Sequence, residues 1–205
     1  LPDTGQTVLQ DFLAAASANN TEKLNADLKS GVPVDSADAE GRTALMIATQ
    51  ANAIDAARVL IEAGADVNAK DRLQDSPYLY AGAEGRLEIL KMTVAAGANL
   101  KAVNRYGGTA LIPAAHHGHV EVVRYLLTTK TDIDHVNFLG WTALLEAVIL
   151  GNGSRTYRDI VDLLLQAGAD ASIGDKEGVM AIDHARSRGQ TEIVQLLDKH
   201  AETRD

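Results

Sequence analysis

"GRTALMIA", residues 41–48, returns as "GGTALIPAA" at 107–115 and as "GWTALLEAV" at 140–148. A second phrase keeps the same beat: "AGADV" starts at Ala63, "AGANL" at Ala96 and "AGADA" at Ala167. Asp38, Asp71, Asn104, Asn137 and Asp175 open the successive returns, at spacings of 33, 33, 33 and 38 residues. The fourth unit is therefore a 33-residue unit with five residues inserted. A fixed period of this length marks a stacked architecture, because one such unit cannot bury its apolar face alone.

Within each unit the punctuation is the same. An Asp or Asn, usually with Gly three positions on, favours a tight turn, since the short side chain bonds the backbone ahead of it. Thr43, Ser76, Thr109 and Thr142 follow where a hydroxyl can cap a short helix, such as Ala44–Gln50 or residues 143–150. Gly85, Gly118, Gly151 and Gly189 then break the chain. A second helix is predicted from apolar residues at helical spacing, as in Val120, Val123, Leu126 and Leu127, and a glycine closes it.

The composition narrows the function classes. The 205 residues suffice for a real core, and the apolar side chains are mainly Ala, Leu, Val and Ile, with only eight aromatic rings. A net charge of −9, with no basic stripe, argues against nucleic acid. No apolar run approaches the roughly 18 residues a membrane span needs. Without cysteine there is neither a disulfide nor thiol chemistry. Residues 1–6 read as a flexible leader: "LPDTG" matches a sortase signal, but the apolar stretch and basic tail that signal requires do not follow. A periplasmic or otherwise exported location is expected if a signal peptide preceded Leu1, and a cytoplasmic one otherwise. The sequons at Asn19 and Asn152 matter only in a eukaryotic secretory pathway.

On these residues the chain resembles the ankyrin-repeat family. The family pattern D-x-x-G-x-T-P-L-H-x-A…G-x-x-x-V-V-x-L-L-L-x-x-G-A-D is met well at 38–70, 104–136 and 137–174, and more loosely at 71–103 and 175–201. "LGWTALLEAVILGNG" is further similar to bacterial ankyrin proteins, several of them exported. The resemblance implies an all-α solenoid of about six helix-turn-helix units joined by β-hairpin-like turns, in a single domain over 1–205. Residues 7–37 would be the N-terminal cap and 175–205 the C-terminal cap and tail. The family's Pro survives only as Pro77, and its His is replaced by Met46, Leu79, Ile112, Leu145 and Asp183. The Thr–His relay between repeats is thus mostly absent, and apolar packing is expected in its place.

Repeats allow positions to be compared within one chain. Leu45, Leu111, Leu144, Ile182 and Tyr78 recur in kind, as do Ala48, Ala81, Ala114, Ala147 and Ala185, and these answer to the fold. The turn tips and one stripe of the first helices vary, and the resemblance implies that together they form a concave, partner-binding face. The candidate contact residues are Leu73, Tyr106, Phe138, Leu139 and Trp141 on the tips, and Tyr80, His116, His117, Glu146 and Ile149 on the stripe. Phe138, Leu139 and Trp141 stand out as three large apolar side chains on one turn, a composition favoured at binding hot spots. The competing reading is that neighbouring turns pack on one another and hide them.

Other chemistry is weaker. His116 and His117 diverge by roughly 100° on a helix, so a metal site would need ligands from a second repeat, such as Glu84 or Glu146. Glu146 could pair with His184 of the next unit, but no nucleophile or oxyanion donor accompanies them. "GNGSRT" at 151–156 reads as a longer loop whose Arg155, Tyr157 and Arg158 could add a second contact surface. Pro113 removes a backbone donor early in its helix and should distort that helix locally. No P-loop, G-x-S-x-G or HExxH is present, so no enzyme, cofactor or bound metal is expected. The expected function is a non-catalytic module that binds an unidentified protein, as a monomer. The alternatives are an inhibitor or immunity-type protein masking an enzyme, or a metal-dependent accessory protein using the His116/His117/Glu146 region. The acidic balance favours a basic or mixed-charge partner surface.

Overall fold

The computed structural model describes residues 3–203, and Leu1 and Pro2 of the expected leader lie outside them. Twelve helices follow one another among the described residues: α1 Thr4–Ser17, α2 Thr21–Lys29, α3 Ala44–Gln50, α4 Ile54–Glu62, α5 Pro77–Ala83, α6 Leu87–Ala95, α7 Leu111–His116, α8 Val120–Leu126, α9 Ala143–Ile149, α10 Arg155–Gln166, α11 Ala181–Ser187 and α12 Thr191–Glu202. Thr4, Gly5 and Gln6 are not leader: they form the first turn of α1, whose Gly5 N–H is capped by Asp3. The turns between helix pairs carry no strand among the described residues, only an isolated antiparallel bridge between Ala37 and Thr43.

Contacts gather the chain into two compact units. The first comprises Leu1–Ala81 with Arg86–Asn99, and the second Gly82–Gly85 with Leu100–Asp205. In the first unit α1 packs on α3, and α2 and α6 flank α4. In the second, α9 lies between α7 and α11, and α10 between α8 and α12. Each layer is thus one helix type stacked on its counterpart, as a 33-residue period demands. The recurrent alanines 48, 81, 114, 147 and 185 are all fully buried, which lets neighbouring first helices approach closely. The positions that carry the family's His are filled instead by Met46, Leu79, Ile112 and Leu145, buried to within 3% of full enclosure, while Asp183 remains in water.

Helix starts follow the caps. Thr43, Ser76 and Thr142 accept from the N–H three residues on at 3.2, 3.1 and 3.2 Å. Thr109 does not. In the other three repeats the cap residue's carbonyl receives the N–H four residues on, from Ile47, Tyr80 and Glu146. Pro113 has no such donor, so the Thr109 carbonyl takes Ile112 N–H at 3.2 Å instead. The helix begins late, at Leu111, and the buried Thr109 hydroxyl is left without a partner.

Candidate functional site

Each turn is built by its opening Asx residue. In the second unit Asn104 Oδ1 accepts from Tyr106 and Gly108 N–H, at 2.9 and 3.0 Å. Asn137 Oδ1 accepts from Leu139 and Trp141 N–H, at 3.0 and 3.1 Å. Asp175 Oδ1 accepts from Glu177 and Val179 N–H, at 3.0 and 2.9 Å. The residue three after the anchor must be left-handed; it is Gly107 at φ +75° and Gly140 at φ +85°, but Gln74 at φ +66° in the first unit, a strain of about 1 kcal/mol.

Neighbouring turns then join edge to edge. Phe138 N–H donates to the Tyr106 carbonyl at 3.0 Å, as Arg72 N–H does to Glu40 in the first unit. The Phe138 ring lies so close over Gly107 that a Cβ there would sit 2.5 Å from it, so any other residue would have to displace the ring as well as adopt a positive φ. His135, not anticipated from the sequence, supports the same turn through Nε2, 2.7 Å from the Gly107 carbonyl. The next joint differs: Lys176 Nζ, rather than a backbone N–H, reaches the Phe138 carbonyl at 2.9 Å.

The apolar tips divide by exposure. Phe138 keeps 69% of its surface exposed, Leu139 53% and Tyr106 56%, with the Arg105 guanidinium 4.8 Å from the Tyr106 ring centre. Val136 and Leu150, absent from the expected contact set, are also exposed. Trp141 is half-buried, because its backbone closes the turn against Asn137. Ile149 is half-buried and His117 exposed. In the first unit Leu73 is exposed and Tyr80 half-buried.

Two expectations on the first-helix stripe are corrected. Glu146 is not a groove surface residue: it is 5% exposed, and its Oε1 accepts from Asn137 Nδ2 at 2.8 Å. Nor does it pair with His184, whose Nε2 meets Asp175 Oδ2 at 2.7 Å. Both side chains turn toward the Asx residue nine positions earlier in their own repeat. The histidine near Glu146 is His116 of the preceding repeat, Nδ1 to Oε2 at 3.5 Å. His117 Nδ1 is instead 2.7 Å from the Ala83 carbonyl. Among the described residues no group of three or more His, Asp or Glu side chains is placed to hold a metal ion.

Electrostatics follow the burial. Loss of water pushes the Glu146 carboxyl above its ordinary value, against the opposing pull of the Asn137 amide and His117. Burial, with His117 beside it, pushes His116 down. Asp175 is held low, chiefly by the Val179 N–H and with help from His184 and the Glu177 N–H. A raised carboxyl binds its proton more readily in the folded chain, so Glu146 removes stability as pH climbs from the ordinary carboxylate value through its own. The lowered His116 acts oppositely, removing stability as pH falls below the ordinary histidine range. Glu146→Gln keeps an acceptor for Asn137, so it should be at least as stable as wild type at neutral pH. The gap should close on acidification to about pH 4. Urea midpoints across a pH series check this, and a gap that does not vary with pH excludes it.

The insertion is shared between loop and helix: residues 150–154 link α9 to α10, where the other repeats use three residues, and α10 starts at Arg155 and runs for 12 residues. Tyr157 does not offer a contact surface: its ring lies against Gly151 and Gly118, and its hydroxyl donates to the His116 carbonyl at 2.7 Å. Arg158 is paired with Glu192, and Arg155 is exposed.

A family model described as ankyrin repeats (3 copies) matches residues 2–71 and 78–175. A crystal structure of an ankyrin repeat domain from Acinetobacter baumannii AYE superposes with a TM-score of 0.90 at 55% identity, over 93% of this chain and 97% of that one. The ankyrin repeat protein EF0377 does so with a TM-score of 0.89 at 46% identity, again over 93% and 97%. YahD of Escherichia coli (strain K12), named as an ankyrin repeat protein, is 44% identical over 52 residues, which is 25% of this chain and 26% of YahD. The chain thus spans about a quarter of that curated relative. The chain belongs to the ankyrin-repeat family, with the all-α repeat solenoid as its fold class. Ankyrin repeats are generally protein–protein interaction modules and are typically non-enzymatic. Among the described residues no helix is long and apolar enough to cross a membrane.

Proposed function

We propose that the chain is a non-catalytic recognition module that binds a partner protein through the turn tips and first-helix ends of its second unit. The observation that carries this is the exposure of Tyr106, Phe138 and Leu139 on two turns joined by a backbone hydrogen bond. Apolar side chains left in water on a hydrogen-bonded turn bury much surface on contact, without the cost of ordering that backbone. Val136, His117 and Leu150 are exposed in the same unit, and Ile149 is half-exposed. Glu146 supports this face from within, and His116, partly exposed, lies beside it.

Phe138→Ala combined with Leu139→Ala tests the reading. The affinity for proteins captured from the native cell fraction should fall by about 10- to 100-fold, as for the loss of one or two hot-spot side chains. Helical circular dichroism should not change. Undiminished capture by a folded double variant would reject the proposal.

A further inference from the structure

We propose that buried Glu146 is the positioning residue of this face: through the Asn137 amide it fixes the turn that presents Phe138, Leu139 and Trp141. Asn137 is itself only 6% exposed, so its NH2 group needs an acceptor inside the protein. Glu146 Oε1 supplies one at 2.8 Å, and this leaves Asn137 Oδ1 aimed at the Leu139 and Trp141 N–H groups. Two further backbone bonds close the turn on the same residue, Asn137 N–H to the Trp141 carbonyl and Gly140 N–H to the Asn137 carbonyl, both at 3.0 Å.

The next repeat solves the same problem with donor and acceptor exchanged. There the anchor is an acceptor, Asp175, and the residue nine positions on is a donor, His184, at 2.7 Å. Repeat three has Asn104 as anchor and Pro113 at the matching site, which offers no side-chain partner at all. The pair is therefore a local option and not a requirement of the 33-residue unit. The Asn137–Glu146 version lies in the repeat whose tip carries Phe138 and Leu139, and the Asp175–His184 version under a tip with Lys176 and Glu177.

That the turn is a contact surface rests on the function proposed above; that Glu146 positions it does not, so the test uses the protein alone. Amide hydrogen exchange at Leu139 and Trp141 is read in Glu146→Leu, Glu146→Gln, Asn137→Asp and the double variant Asn137→Asp/Glu146→His. Glu146→Leu leaves the Asn137 amide unpaired, and Asn137→Asp sets two carboxylates face to face. Each should lower protection of these two amides about tenfold or more, with α12 amides unchanged. Glu146→Gln should keep protection near wild type. The double variant, which rebuilds the Asp175–His184 pair, should restore it. Wild-type protection in Glu146→Leu overturns the proposal. If that variant does not fold, failure of the double variant to recover what Asn137→Asp loses overturns it equally.

Discussion

Alanine at position 145 should lower stability by about 2–5 kcal/mol, the cost of emptying a fully enclosed leucine site that cannot collapse. Leu145 has no exposed surface and sits in α9, between α7 and α11. It also stands eight residues after its anchor, where the family pattern carries the His of a polar relay between repeats. Here the site is apolar in four repeats out of five, so at this position in the second unit apolar packing takes the place of the Thr–His relay between first helices. In a stacked protein each repeat is stabilised mainly by its neighbours, so loss at the central helix of the second unit weakens both of its interfaces. The measurement is the urea midpoint, followed by far-UV circular dichroism and by fluorescence of Trp141, the only tryptophan, which lies in the same repeat. Phe138→Ala, seven residues earlier and largely in water, is the control and should shift stability by no more than about 0.5 kcal/mol. A Leu145→Ala protein as stable as that control would mean that the site is not core.

That contrast also shows what the sequence could tell. Positions repeated in kind were legible because the period supplied several independent copies: the capping hydroxyls, the buried alanines and the Asx-led turns all stand where the spacing places them. Pro113 was legible too, since a missing N–H has only one consequence, and Thr109 bears it. Trp141 was harder. A single tryptophan on a turn looks like a contact residue, yet its backbone N–H and carbonyl are both taken by Asn137, and that draws it half into the fold. Glu146 was misread for a related reason. Alignment by the 33-residue period sets it beside His184, whereas the physical partners lie nine residues back, at Asn137 and Asp175. The period reveals which sites correspond. It does not reveal which sites touch.

Tyr157 carries the same lesson into the insertion and leads to the other large effect. With the five extra residues 152–156 removed, Tyr157 falls at the position of Arg86, His119 and Gln190. Arg86, Tyr157 and Gln190 each reach back to a carbonyl near the end of the preceding first helix: Arg86 to Gln50 at 3.2 Å, Tyr157 to His116 at 2.7 Å and Gln190 to Val148 at 3.1 Å. The fourth, His119, lays its ring against Gly85. Carbonyls at a helix end have no intrahelical donor, so any side chain with a donor at the right height can serve. That is why residue type is free here and the motif is invisible as a pattern. Tyr157→Ala removes both the donor and the ring packed on Gly118 and Gly151, and should cost about 2–4 kcal/mol. Tyr157→Phe removes only the donor and should cost about 0.5–1.5 kcal/mol. Denaturant midpoints of the two variants separate packing from hydrogen bonding. Equal losses would assign the whole effect to the hydroxyl, and no loss in either would mean that the insertion carries Tyr157 as surface, with the repeats held together elsewhere.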